Sequence, residues 1–264
     1  MKNNSGYKIS PLSFNRRAVR ASASVTKEKN TIHSLAEIDI TTPRCLLREH
    51  FERTGEKLSF TAYIVSCLAQ VMKEFPQFNS FIKGRNLVVL DDVTISVLVE
   101  RDIDGEKVPE PIGIQQAQKK SFLEIHREIR EAKSTTSGKL GTHSGMAWFR
   151  FIPDFLLKTF VRIADKNIKL GVQYGKVAVT AIGMFSKEAV WLIPHGSATV
   201  LVSVGSINNR AVETDGKFVS KEHLCITASF DHDIVDGAPA ARFLSRFAEI
   251  VKSGEIQQRE LTNK

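Results

Sequence analysis

The stretch ASFDHDIVDGAPAARFL, residues 228–244, sets His232 four residues before Asp236, with Gly237 directly after that carboxylate and Asp231 and Asp233 on either side of the ring. Imidazole changes charge closer to neutral pH than any other side chain, so a histidine in such a place can take a proton from a substrate and return it later. For Asp236 two roles are open: it orients the ring, or it locks the loop by pairing with an arginine from elsewhere in the chain. Gly237 has no Cβ to obstruct a sharp turn into whatever follows. Asp231 and Asp233 read as solvated loop carboxylates. The other histidines, His33, His50, His126, His143, His195 and His223, have no motif partner and read as structural or solvated. A His-x-x-x-Asp-Gly pattern is short enough to arise by chance, so its weight rests on the elements around it.

A strand-like run, LCITASF, leads into the motif, and a helix carrying Phe243, Leu244, Phe247, Ile250 and Val251 on one face leads out. Upstream, SLAEIDIT reads as a strand and Pro43 opens a helix through RCLLREHFER. FTAYIVSCLAQVMKE is apolar nearly all round, the pattern of a buried helix, and Val93, Ile95, Val97 and Val99 alternate at the strand period. VPEPIG reads as a loop, followed by the charged amphipathic helix SFLEIHREIREAK. STTSGKLGTHSG, residues 134–145, reads as a linker or mobile loop. An aromatic-rich helix then begins near Pro153, followed by the apolar strands VAVTAIGMF and TVLVSVGSI. Asp215-Gly216 has the chemistry of a tight hairpin turn. Strands and helices interleave without internal repeats, which predicts a mixed α/β sheet with helices packed on it.

A chain of 264 residues suits one large domain or two small ones, and 42% hydrophobic with 25% charged residues is ordinary for a folded globular protein. The net charge of +8 favours an anionic partner such as a phosphorylated cofactor, yet the basic residues are spread out rather than gathered in a tail. No zinc-finger spacing and no aromatic RNA-binding signature occurs, so nucleic acid is not the expected partner. Cys45, Cys67 and Cys225 show no paired spacing, which points to a reducing compartment. The start MKNNSGYKISPLSFNRR lacks the apolar centre of a signal peptide, and a cytoplasmic location is the expectation. In MAWFRFIPDFLLKTFVRIADKNIKLG, Arg150, Asp154, Lys158 and Arg162 recur every four residues, so no apolar run there is long enough to span a bilayer.

The run SFDHDIVDGAPAARFL resembles the C-terminal motif of the catalytic domain of dihydrolipoamide acyltransferases, the core component of 2-oxoacid dehydrogenase complexes, a domain related to chloramphenicol acetyltransferase. VAVTAIGMF is similar to that family's strand ending in Ser-Asn-Leu-Gly-Met-Phe. EIDIT, LSFTAYIV, FPQFNS and AQKKS fall in the family's order, and RRAVRAS resembles its arginine-bearing first helix. The similarity runs from about Leu12 to Glu255. It implies an α/β, chloramphenicol-acetyltransferase-like two-layer fold over residues 12–255, with residues 1–11 and 256–264 as tails. It implies coenzyme A as acyl carrier, and a homotrimer or trimer-built assembly with active sites between neighbours. By that resemblance His232 is the base that deprotonates a thiol, and Thr180, where the family has serine, donates to the oxyanion of the tetrahedral intermediate. Asp236 would hold the loop through an arginine near the N-terminus, Arg17 or Arg16.

The implied activity is transfer of an acyl group between coenzyme A and a thiol or hydroxyl acceptor. Two alternatives accompany it: a core acting on a lipoyl group carried by a separate protein, and an inactive trimeric scaffold. The chain carries no lipoyl or subunit-binding domain, so no lipoyl group is expected on it, and the acceptor is expected to be a separate lipoylated protein or a small molecule. Asp233 stands where the family usually has arginine or lysine, and Thr180-Ala181 replaces Ser-Asn. Residues 134–169 depart most from the family. In their helix, Phe155, Leu156, Phe160 and Ile163 are expected to pack on the protein's own sheet or on a trimer neighbour. An apolar acyl or acceptor pocket and a lipid-facing surface are the alternatives.

Overall fold

Along the chain run α1 (Phe14–Thr26), β1 (Thr31–Asp39), α2 (Thr41–Thr54), α3 (Phe60–Met72), β2 (Ser80–Lys83), β3 (Asn86–Val89), β4 (Ile95–Ile103), β5 (Glu106–Ile114) and α4 (Phe122–Ser134). There follow α5 (Asp154–Asp165), α6 (Ile168–Tyr174), β6 (Val177–Ala181), β7 (Val200–Thr214), β8 (Lys217–Asp231), α7 (Gly237–Ser253) and α8 (Glu255–Leu261). The structure is a computed structural model that describes residues 6–103, 106–134, 152–183 and 188–261, without the side chains of 101–109. Most of the expected linker at 134–145 lies outside those residues, as do His143, Arg150, Met184 and Phe185.

Six strands form one mixed sheet in the order β1-β8-β7-β6-β4-β5, and β2 and β3 make a separate hairpin. β6 lies parallel to both β4 and β7, while β8 is antiparallel to β7 and β1. Val93, Ile95, Val97 and Val99 all enter the core, as their period-2 spacing requires, joined by Val177, Val179, Val200, Val202, Ile226, Ala228 and Phe230. α3 fills the space above them: its central residues from Ala62 to Leu68 are all buried, as an all-round apolar helix must be. α7 lays Phe243 and Phe247 on the same core, and the Phe243 ring stacks on Phe78 at 5.2 Å and meets Phe230 edge-on at 5.6 Å.

Asp215 and Gly216 close the β7–β8 hairpin with positive φ at both positions, the geometry that makes glycine favourable there. Two sequence expectations change. VPEPIG is not a loop but part of β5. Because β5 is an edge strand, Pro109 and Pro111, two residues apart, can both turn their donorless nitrogens away from β4. The C-terminal tail expected from residue 256 is largely helix α8, where Gln257 and Leu261 are buried and Leu261 joins the core. No helix among the described residues is long and apolar enough to cross a membrane.

Candidate active site

His232 begins the turn that joins β8 to α7, and its surroundings are fixed from far away in sequence. Its backbone N–H donates to the Asn30 carbonyl at 2.6 Å, just ahead of β1. The Asn30 side chain donates to Asp233 Oδ1 at 2.9 Å, and the Asp233 N–H donates back to Asp231 Oδ1. Asp231 is only 6% exposed and forms an ion pair with Lys29 at 3.0 Å; the same ammonium donates to the Ser197 carbonyl. The reading of Asp231 as a solvated carboxylate is therefore overturned: it is a buried anchor, and Asp233 is tied to Asn30. Lys29 and Asn30 escape any local reading, because their partners lie some two hundred residues downstream. Val235 closes the turn by entering the core.

The His232 ring itself stays 45% exposed, with Nδ1 3.8 Å from Asp236 Oδ1. That separation allows charge attraction but exceeds a hydrogen bond. Asp236 is the N-cap residue of α7, its carboxylate caps no helical N–H, and the side chain is 85% exposed. Among the described residues, the charged group that Asp236 stands beside is this ring. Arg17 is engaged elsewhere: its Nε donates to Asp154 Oδ1 at 2.8 Å and its Nη2 to the Ile152 carbonyl, joining α1 to the start of α5. Asp154 stands at the start of α5, and its carboxylate is the one that the Arg17 guanidinium meets among the described residues. Arg16 contributes its backbone N–H to the Ser13 cap of α1. Gly237 also departs from expectation, since its φ is not positive and a Cβ there would meet open space. The turn into α7 does not itself require glycine.

Thr180 lies in β6, in register with Ser203 on β7, which is in turn opposite Thr227 on β8. Val177 and Val179 point into the core, so the period-2 strand puts Thr180 on the other face, half-buried. Pairing between β6 and β4 ends at Val179, so Thr180 has no strand partner on that side among the described residues. Just beyond it a Cβ on Gly183 would collide with the Gly205 carbonyl, so the glycine lets β6 leave the sheet hard against β7.

The two proposed reacting groups do not meet in one chain. From the level of Thr180, Asp231 is four residues further along β8, about 14 Å, and two strand spacings across, about 10 Å. The backbone at Thr180 and the end of β8 that leads into the His232 turn are therefore roughly 17 Å apart. On the rung between them His33 Nδ1 lies 2.8 Å from Ser229 Oγ; burial, and then the nearby His195, hold the His33 imidazole below its usual range. Of the other histidines, His126 is buried and accepts the Ser59 N–H, and it too is held low, chiefly by burial. No group of metal-ligating side chains occurs among the described residues.

Of the two placements expected for the apolar stripe of α5, the protein's own sheet is not the one seen. Phe155, Leu156, Phe160 and Ile163 are each about half or more exposed, and Leu157 is the buried residue of the helix.

A family model for the 2-oxoacid dehydrogenases acyltransferase (catalytic domain) matches residues 6–145 and 164–257. The lipoamide acyltransferase component of the branched-chain alpha-keto acid dehydrogenase complex of Bacillus subtilis is 27% identical over 255 residues, covering 94% of this chain and 53% of that protein. The chain thus spans about half the length of the curated relatives it matches. The cubic core of the pyruvate dehydrogenase multienzyme complex superposes with a TM-score of 0.68 at 19% identity, covering 93% of this chain and 92% of that one. Chloramphenicol acetyltransferase superposes at 0.50 and 14% identity, over 92% and 97% of the two chains. The fold is the chloramphenicol-acetyltransferase-like one that the sequence motifs imply.

Proposed function

Because this chain belongs to the 2-oxoacid dehydrogenases acyltransferase (catalytic domain) family, we propose that it moves an acyl group between coenzyme A and a thiol or hydroxyl acceptor, at sites completed by two subunits of a trimer or trimer-built assembly. His232 takes the proton from the attacking thiol or hydroxyl as its oxygen or sulfur bonds to the thioester carbonyl. Thr180 of the neighbouring subunit donates to the oxyanion that forms. Collapse of the tetrahedral intermediate breaks the bond to coenzyme A sulfur, and the imidazolium returns the proton to that departing thiolate. A free thiol is mostly protonated at neutral pH, which is why the base is needed. General-base help is worth on the order of 10²–10⁴ in rate and one oxyanion donor on the order of 10²–10³. Asp236, beside Nδ1, favours the ring orientation and the charged intermediate.

The observation that carries this reading is the roughly 17 Å along and across the sheet between the Thr180 level and the His232 turn. One chain cannot bring base and donor to one carbonyl, whereas two copies can. The His232 ring is exposed and Thr180 is half-buried, with no strand partner toward β4 among the described residues, so both are accessible to a neighbour. The test uses acetyl-CoA with dihydrolipoamide, and in parallel with chloramphenicol, as thiol and hydroxyl acceptors. His232→Ala is expected to lower turnover by about two to four orders of magnitude while unfolding is unchanged. Co-assembly of His232→Ala chains with Thr180→Val chains should then recover part of the activity, since some interfaces unite an intact base with an intact hydroxyl. Full turnover by His232→Ala would remove the base assignment, and no recovery in the mixed assembly would remove the shared site.

A further inference from the structure

The rung of the sheet that carries Thr180 holds two more hydroxyls that the reaction scheme above leaves unused. Ser203 is 1% exposed and Thr227 fully buried, and neither hydroxyl oxygen has a hydrogen-bond partner among the described residues. They are not scattered. Ser203 is the register partner of Thr180, and Thr227 is the register partner of Ser203, so the three stand in one row across β6, β7 and β8. Period 2 puts all three on the face away from the core, since Val202, Val204, Ile226 and Ala228 on either side of them in sequence fill it. The covering is chain rather than solvent: Val190 stands over Gly205 and Gly196 over Leu201, so residues 190–196 run along this face above Ser203. The neighbouring rung is already closed by the His33–Ser229 contact at 2.8 Å and does not compete for these hydroxyls.

A buried hydroxyl without a partner is unfavourable, and a sheet built for stability alone would place alanine or valine at such positions. Side chains directly opposite on adjacent strands have Cβ atoms about 5 Å apart, so a change of χ1, or one bridging water, joins neighbouring hydroxyls. Each hydroxyl has one hydrogen and two lone pairs. If Thr227 donates to Ser203 and Ser203 to Thr180, both buried hydroxyls place their hydrogens, in one direction. The Thr180 hydrogen is then the one left over, and β4 no longer pairs beside it. Accepting a hydrogen bond polarises a hydroxyl and strengthens it as a donor.

We propose that Ser203 and Thr227 are positioning residues for Thr180, forming with it a one-way hydrogen-bond row that aims the Thr180 hydrogen at the acyl oxygen. The proposal deepens the acyltransferase reading and rests on it. Ser203→Ala should lower turnover of acetyl-CoA with dihydrolipoamide by about threefold to tenfold with the KM for acetyl-CoA unchanged, the size of one ordinary hydrogen bond felt at the transition state. Ser203→Thr, which keeps the hydroxyl, should restore most of it, and Thr227→Val should cost less than Ser203→Ala. In a Thr180→Val background Ser203→Ala should have no further effect on turnover. Unchanged turnover in Ser203→Ala while Thr180→Val is impaired overturns the row, and so does an equal loss in both backgrounds, which a merely structural role would give. A wild-type protein that transfers no acetyl group removes the acyltransferase reading instead. In that case the row is still decided by denaturant unfolding of the Thr180→Val and Ser203→Ala single and double variants, where non-additive losses support it and strict additivity overturns it.

Discussion

Helices α5 and α7 look alike in sequence, each amphipathic and each rich in phenylalanine, yet the fold uses them in opposite ways. α7 turns Phe243 and Phe247 fully into the core, where the rings meet Phe75, Phe78 and Phe230. α5 turns Phe155, Phe160 and Ile163 outward, buries Leu157, and is flanked by ion pairs. Arg17 pairs with Asp154 at its start, Lys158 and Arg162 meet Glu28 in its middle, and Lys176 binds Asp165 at its end. Apolar periodicity thus says that a helix has a greasy stripe; it does not say whose atoms that stripe will meet. Where the stripe is answered inside the chain, the sequence contains a second matching surface, here α3 and the alternating valines of β4, β6 and β7. For the outward stripe of α5 the described residues hold ion pairs at its flanks but no such surface.

The sharpest way to break this contrast is Phe243→Ala, expected to cost about 3–5 kcal/mol in denaturant unfolding because it empties the middle of an aromatic cluster. A loss below about 1 kcal/mol would mean that α7 is held by something other than its rings. Next comes Asp165→Asn. Burial opposes ionisation of Asp165, but the Lys176 charge and its hydrogen bond prevail and leave the carboxyl below its usual range. Lys176 is itself pushed down, chiefly by burial, so the acid side of the pH profile belongs to Asp165. Removing the carboxylate strands a buried ammonium and should cost about 3 kcal/mol at pH 7. In the wild type, the stability Asp165 supplies is fully present above its unfolded pKa of about 3.9 and is lost as pH falls through its lower folded value. The variant should lack that slope.

A smaller effect is expected from Tyr63→Phe. The Tyr63 hydroxyl donates to the Val251 carbonyl at 2.7 Å, tying α3 to α7, and its removal should cost about 1 kcal/mol by thermal or denaturant unfolding. The smallest is Phe160→Ser. If the α5 face meets nothing within its own chain, unfolding of the dissociated subunit should shift by no more than about 0.5 kcal/mol. A loss of several times that size would place Phe160 among buried residues and dissolve the contrast.

The site was readable where chemistry and local pattern coincide. His232, its spacing to Asp236, the strand before it and the helix after it all stand within seventeen residues of sequence, and the structure joins them as that spacing requires. Thr180 became visible only through resemblance, since a threonine in a valine-rich strand carries no signal of its own. Lys29, Asn30 and the burial of Asp231 were not legible because their meaning is created by β1 pairing with β8. The resemblance offers Arg17 or Arg16 to Asp236, and within the chain Arg17 also meets Asp154; both carboxylates stand at the starts of helices, and nothing local to the arginines distinguishes them. The prolines of VPEPIG misled in the other direction, since an edge strand tolerates what an inner strand would not.

The pairing of Thr31 with Asp231 also governs how the molecule must come into being. A contact spanning two hundred positions can form only after the intervening polymer has been drawn together, which makes closure of this edge a late and entropically demanding event on the folding route. The turn bearing the imidazole is therefore assembled when the first and last strands find each other, and a half-collapsed chain, however well its middle is packed, holds that ring in no defined place.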